Sequence, residues 1–310
     1  MAIEVNAFYD ARTGTVTYVV ADLAARACAV IDSVLGFDPR SGQVDRASHT
    51  GVIAFVERHC LRLDWILETH LHADHLSGAS ELKEALGGAI GIGAGIAESM
   101  LFWTPLFGAS PVAEATLGFD RLLADGETLA LGGTALRVIS TPGHTPDGVT
   151  YVIEDNAFVG DTLLMPNAGT ARCDFPGGCP RTLYQSVLKI FELPQSTRLF
   201  CGHDYGPARG EAPGWESSVR VQRSHNVHVH DGVSESQFIE KRTARDQSLS
   251  APALLFPALQ VNLRAGRLPP NESNGIAYLK LPLNLNLDSL RANGHSALTA
   301  TVEQSKLRPA

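Results

Sequence analysis

Apolar and polar positions alternate over residues 4 to 20, as VNAFYD and then TVTYVV, with Arg12 to Gly14 between them. A period of two predicts two strands joined by a tight turn. A third strand, CAVIDSV, follows at Cys28, so the chain opens as a β-meander. Over residues 45–62 the period lengthens, with Val52, Phe55 and Val56 at helical spacing and His59 as a helix-end residue rather than a ligand. A short apolar strand at 65–67 comes next. SGASELK then opens a helix that runs to about Leu86, where two glycines close it.

Residues 85–103 carry one charge, Glu98, and their length invites a membrane test. Five glycines make them a poor span, and they read instead as a strand near 89–92 and a helix from about Ile96. Two prolines interrupt residues 101–118, which read as a loop packed on the core; a cap over a cleft or a subunit contact is the alternative. From Arg121 short apolar runs bounded by turn residues resume: ETLALGG, TALRVIST, GVTYVIE and NAFVGD, with TRLFC further on. A polar stretch at 211–224 marks a boundary between residues 1–210 and an extension, 211–310, packed on the same domain. In the extension NVHVH alternates as a surface strand would, FIEKRTARDQSL reads as a helix, ALQVNLRAG as an extended piece and the last fifteen residues as a frayed end.

Composition narrows the function. With 44% hydrophobic residues in 310, the chain has the content of a folded protein with a sizeable core. A net charge of −8 and the lack of a basic cluster argue against a nucleic-acid partner, so an anionic substrate needs locally placed cations. The start MAIEVNAFYD has no basic region followed by an apolar core, which predicts a cytoplasmic protein. Five cysteines, odd in number and without a CxxC pair, suit reduced thiols and argue against cysteine metal ligation.

Candidate chemistry gathers where strands end. His70, His72, Asp74 and His75 fall within six positions just after the strand at 65–67. Imidazoles so close repel one another when protonated, whereas a transition metal binds several at once. His144 follows TALRVIST, Asp161 ends NAFVGD and His203 follows TRLFC. Parallel or mixed sheets flanked by helices collect sites at one edge, because loops there carry polar groups without disturbing the core.

These residues resemble the metallo-β-lactamase superfamily, which implies an α/β, αββα sandwich with metal at the sheet edge. THLHADHLSG, STPGHTPDGVTYV, VGDTLL, ARCDFPGGCPRTLYQSV and CGHDY are similar to the persulfide dioxygenase branch. The later stretch NVHVHDGVSESQFIEKR through AYLKLPLN is similar to bacterial β-lactamase-hydrolase-like proteins of sulfide detoxification. Superfamily resemblance alone implies two metals, with His70, His72 and His144 on one, Asp74, His75 and His203 on the other, and Asp161 bridging. The narrower branch implies one Fe(2+) on His70, His144 and Asp161, with His72, Asp74, His75 and His203 orienting ligands and moving protons, Asp74 and His75 in the catalytic role. The implied reaction oxidises glutathione persulfide with O2 to sulfite and glutathione. The alternatives are a dinuclear Zn2+ glutathione-thioester hydrolase of the glyoxalase II type and a non-catalytic metal-binding sensor.

For the thiol carrier, Arg172 and Tyr184 are expected to line the pocket, with Arg181 nearby. Against this, Arg172 can pair with Asp174 and Tyr184 can be a core aromatic on a helix. Cys173 and Cys179 read as small core residues rather than persulfide carriers. Partners are expected to be the small-molecule thiol persulfide and O2, with no membrane; a homodimer stays open.

Overall fold

Strands β1 (Glu4–Asp10) and β2 (Thr15–Asp22) form the expected hairpin, and β2 is buried along its whole length. Its alternation serves two different cores. Val16, Tyr18 and Val20 face a second sheet, while Val19 and Ala21 face helices on the outside. The structure, a computed structural model, describes residues 3–108, 118–204 and 212–285.

The first sheet continues through β3 (Ala27–Ile31), then β6 (Arg62–Leu67), β8 (Ala89–Gly93) and β9 (Arg121–Leu123), the last four running parallel. Between β3 and β6 lie β4 (Val34–Asp38), β5 (Gln43–Asp45) and helix α1 (Ala47–Arg58). β7 (Leu76–Ser77) joins β4 and β5 in a small third sheet. The second large sheet has the order β10 (Thr128–Leu131), β11 (Thr134–Ser140), β12 (Val149–Ile153), β13 (Asn156–Gly160), β14 (Arg198–Cys201), β15 (Glu216–Ser218). Only β13 and β14 are parallel neighbours there.

The two sheets enclose one core, in which Phe158 stacks on Phe200 with ring centroids 5.0 Å apart and the Tyr18 hydroxyl donates to the Cys201 carbonyl at 2.6 Å. Each large apolar side chain buried here contributes about 1.5–3 kcal/mol relative to exposure. Helices α1 and α2 (Ala79–Leu86) cover the outer face of the first sheet through Val52, Val56 and Leu82. Helix α3 (Ile96–Trp103) follows β8 and leads into a 3-10 turn at Thr104–Phe107. Helix α4 (Pro180–Phe191) covers the second sheet through Leu183, Val187 and Ile190, joined by Phe238 of a later helix. The layers are therefore helix, sheet, sheet, helix, as the resemblance implies.

Glycines in β8 let a functional loop lie on it. A Cβ at Gly93 would meet the Asp147 carbonyl oxygen at 2.2 Å, so the loop carrying His144 rests directly on this strand.

Beyond β15 come α5 (Val219–His225), α6 (Glu235–Asp246) and α7 (Leu255–Asn262). Ser234 and Gln237 form a capping box that fixes the start of α6. Two expectations fail here. ALQVNLRAG is helical through Asn262, not extended; Pro257 sits in the first turn of α7, where a missing N–H costs nothing. NVHVH is a turn rather than a surface strand: the Asn226 side-chain oxygen accepts from the main-chain N–H of His228 and Val229, and His228 is buried. Of residues 101–118, those through Phe107 pack on the core with Trp103 and Phe175, and 109–117 lie outside the described residues, as do the expected boundary at 210 and the last fifteen residues. Among the described residues no helix is long and apolar enough to cross a membrane.

Candidate metal centre and adjoining cavity

Every residue expected at the metal lies just past a strand end, and the sheets bring them together. His70, His144 and Asp161 form one group in which each residue offers a ligand atom and these atoms all lie within 4.8 Å of one another. Each of the two imidazole Nε2 atoms is 3.9 Å from Asp161 Oδ2. Their tautomers follow from the opposite nitrogens. His144 Nδ1 is 2.6 Å from the Arg172 carbonyl oxygen, which only accepts, so Nδ1 carries the proton and Nε2 presents its lone pair.

His70 needs one more step. The Thr69 hydroxyl donates to Asp32 Oδ2 at 2.8 Å, so it accepts from His70 Nδ1 at 3.0 Å. His70 Nε2 is thereby left as an acceptor aimed at the cluster. Burial, reinforced by His72, holds the His70 pKa well below the ordinary range, so the ring is neutral. Burial alone would raise Asp161, but His203 and then His70 hold it low, so the carboxylate is charged.

A second group comprises His72, Asp74, His75 and His203. His203 stands between two carboxylates, with Nδ1 donating to Asp161 Oδ1 at 2.6 Å and Nε2 2.5 Å from Asp74 Oδ2. Burial opposes its charge, yet Asp161 and Asp74 carry its pKa to about 10. Burial likewise opposes charge on His72, but Asp32, 3.0 Å from its Nε2, and Glu68 outweigh it and raise its pKa well above normal. His72 Nδ1 and His75 Nε2 are buried with no hydrogen-bond partner among the described residues. Orphaned buried nitrogens of this kind are costly, and a cation that displaces a proton would satisfy them. Two imidazoles of fixed tautomer and an ionised carboxylate are a donor set suited to a divalent transition metal. The residues present therefore fit a metal centre.

Several of the supporting groups were not singled out from the sequence. Asp32 and Glu68 obey the same strand-end placement as the ligands and were legible by that rule. Asp147 accepts from the Leu71 N–H and from the Ser99 hydroxyl, holding the His144 loop against the His70 loop. Thr15, whose hydroxyl lies 3.0 Å from His203 Nε2, carries no sequence signal at all.

A cavity of about 360 Å³ opens onto this cluster and is lined by Asp74, His144, Asp161, Phe175, Arg172, helix α6 and the segment that follows it. Arg172 is in the wall, and it also makes the pair weighed against that role: its guanidinium binds Asp174 at 2.5 and 2.7 Å and lies 4.5 Å over the Phe175 ring. Tyr184 is placed differently. Its hydroxyl donates to the Val233 carbonyl at 2.8 Å and its ring packs on Phe238, in the outer core. The cavity wall instead includes Arg242 and Arg245 of α6. Arg181 pairs with Glu235 at the surface. Cys173 is buried, and Cys179 is half-buried at the start of α4.

The profile of the metallo-beta-lactamase superfamily matches residues 11–203. The chain belongs to the metallo-β-lactamase superfamily. It is 48% identical to a probable metallo-hydrolase of Burkholderia pseudomallei over 90% of this chain and 99% of that one. It is 45% identical to a beta-lactamase hydrolase-like protein of Xylella fastidiosa, of which it spans 64%, with 90% of this chain covered. Human mitochondrial persulfide dioxygenase ETHE1 is 36% identical, with 83% of this chain and 86% of that one aligned. Among solved structures, ETHE1 from Myxococcus xanthus superposes with a TM-score of 0.67 at 26% identity, covering 86% of this chain and all of that one (100%). Within the superfamily, the chain thus falls in the branch that holds the persulfide dioxygenases, as an enzyme acting on a small molecule with a metal cofactor.

Proposed function

We propose that this metalloenzyme is a persulfide dioxygenase that holds one Fe(2+) with His70, His144 and Asp161 and oxidises glutathione persulfide. The balanced reaction is glutathione persulfide plus O2 plus water giving glutathione, sulfite and two protons. The observation that carries the reading is the split between the two histidine groups. His70 and His144 offer free Nε2 lone pairs beside Asp161, whereas His203 and Asp74 hold each other. A 2-His-1-carboxylate face is the donor set of ferrous oxygenases, and iron so held supplies affinity for a soft sulfur and the redox chemistry of O2.

The chain's own residues do the rest. The Arg172 carbonyl and Thr69 hydroxyl fix the two imidazoles, and loss of such partners typically lowers metal affinity or activity ~10–100-fold. Asp161, accepting from His203, stays ionised. His203 keeps a proton at Nε2 next to Asp74, and Asp74 lines the cavity, so Asp74 with His75 behind it are the groups placed to move protons to and from substrate. The buried side chains of Phe175 and Leu164 exclude water from their part of the cavity wall.

A dinuclear zinc hydrolase acting on a glutathione thioester is the second reading. The orphaned His72 Nδ1 and His75 Nε2 favour it, since two metals would engage both. Metal analysis on protein purified without air, coupled to an oxygen electrode, separates the two. One iron per chain with O2 uptake on glutathione persulfide supports the first; two zincs with thioester cleavage and no O2 uptake overturn it.

A further inference from the structure

Residues 170–173 form a strap between the candidate metal centre and helix α6, with main-chain hydrogen bonds to both sides. Toward the centre, the Ala171 N–H donates to the main-chain carbonyl of Asp161 at 3.2 Å, and the Arg172 carbonyl accepts from His144 Nδ1 at 2.6 Å. Two of the three proposed ligands are thus tied to adjacent residues of one short segment. Toward α6, the Thr170 carbonyl accepts from Arg242 at 3.0 Å and the Cys173 N–H donates to Asp246 Oδ2 at 2.9 Å. Arg242 and Asp246 stand one turn apart on α6, are both buried, and join through Asp246 Oδ1 at 2.9 and 2.5 Å. The pair therefore grips the strap on either side of Ala171 and Arg172. His228 accepts from the Thr170 N–H at 3.0 Å, but the carbonyl of that residue is held independently by Arg242.

We infer that Arg242 and Asp246 are positioning residues for the metal centre, acting through the strap to hold His144 and Asp161 in place. This rests on the reading of those two residues as metal ligands. A buried ion pair adds little to stability over an apolar pair of the same volume, because desolvation offsets the attraction. What the charged pair adds here is a partner for two main-chain groups, the Thr170 carbonyl and the Cys173 N–H, that an apolar pair would leave unpaired. With both ends of the strap fixed, the Arg172 carbonyl cannot drift from His144 Nδ1, and the imidazole keeps the tautomer and orientation that present Nε2 to a cation. Part of the chain beyond β15 thereby shapes the centre without supplying a ligand to it.

The test is titration of the full-length chain with Co(2+) in competition with a chromophoric chelator, together with the visible spectrum of the cobalt form and urea denaturation. Asp246→Asn is nearly isosteric but has one acceptor oxygen where the carboxylate has two, so either Arg242 or the Cys173 N–H is left facing an NH2 group. It should raise the Co(2+) dissociation constant about 10-fold and shift the ligand-field bands. The double variant Arg242→Met, Asp246→Leu removes both buried charges together, so it should unfold near the wild-type urea concentration yet bind cobalt as weakly as Asp246→Asn. Ser234→Ala, which breaks the capping box at the other end of α6, should lower the urea midpoint and leave cobalt affinity and spectrum unchanged. Wild-type affinity and spectrum in both strap variants, or an equal loss in Ser234→Ala, overturns the positioning role while the metal centre stands. A wild type that takes up no cobalt overturns the metal centre and the positioning role together.

Discussion

The side-chain amide of Asn262 donates to the main-chain carbonyl of His72 at 2.9 Å, across 190 residues of chain. The same amide reaches the His75 carbonyl at 2.8 Å, and its oxygen accepts from the Ser77 N–H at 2.7 Å. All of these groups are buried, so the loop bearing four of the candidate ligands takes its shape from helix α7. Asn262→Ala leaves three main-chain groups unpaired and should cost roughly 3 kcal/mol at about 1 kcal/mol each, with a rise of ~10–100-fold in the metal dissociation constant. Urea denaturation and metal titration check both numbers. Unchanged values would show that the loop holds its own shape.

His144 and His228 make a matched pair for testing the metal assignment, since both are well covered and both use Nδ1 in a hydrogen bond to the main chain of the segment at 170–172. Only His144 aims its other nitrogen at Asp161. His144→Ala should abolish metal retention, while His228→Ala should keep it, measured as metal per chain after desalting. Equal loss in both variants would discredit the ligand set.

The seven candidate ligands were legible because each ends an apolar strand, and one edge of a two-sheet core collects strand ends whatever the rest of the chain does. The same alternation signal misled at NVHVH, where side-chain-to-main-chain bonds from Asn226 override a period of two. It misled again at ALQVN, a short buried helix whose apolar residues leave no polar face to reveal the longer period. Asn262 and Arg245 were illegible for a further reason. Asn262 finds its partners in a distant segment and Arg245 reaches the cavity wall only through the placement of α6, and nothing in the neighbouring residues encodes either.

Acid should unfold the protein partly through His228. Burial, with Arg242, Lys241 and Arg245 nearby, lowers its pKa to about 4, and its Nδ1 accepts from the Thr170 N–H at 3.0 Å, a bond only the neutral ring can make. The unfolded chain binds this proton near pH 6.5 and the folded chain does not until about pH 4, so stability falls as pH drops through that window. Urea midpoints from pH 7 to pH 4 should decline less steeply in His228→Gln than in the wild type, even though the variant starts lower at pH 7. Parallel slopes would place the acid sensitivity elsewhere.

Gly160 closes β13 immediately before Asp161, with φ of 51°. A Cβ there would lie 2.4 Å from the Thr69 hydroxyl and 2.8 Å from Thr69 Cβ. Thr69 would have to move, breaking its bonds to Asp32 and to His70 Nδ1 and so releasing the tautomer of a candidate ligand. Gly42, with φ of 70° and nothing within 4 Å of an added Cβ, isolates the backbone contribution. Gly42→Ala should cost about 1 kcal/mol of strain and leave metal content unchanged. Gly160→Ala should carry that strain and also lose metal, because the displaced hydroxyl no longer fixes His70. Matching metal content in the two variants would mean that Thr69 does not orient His70, and the tautomer argument for the ligand set would go with it.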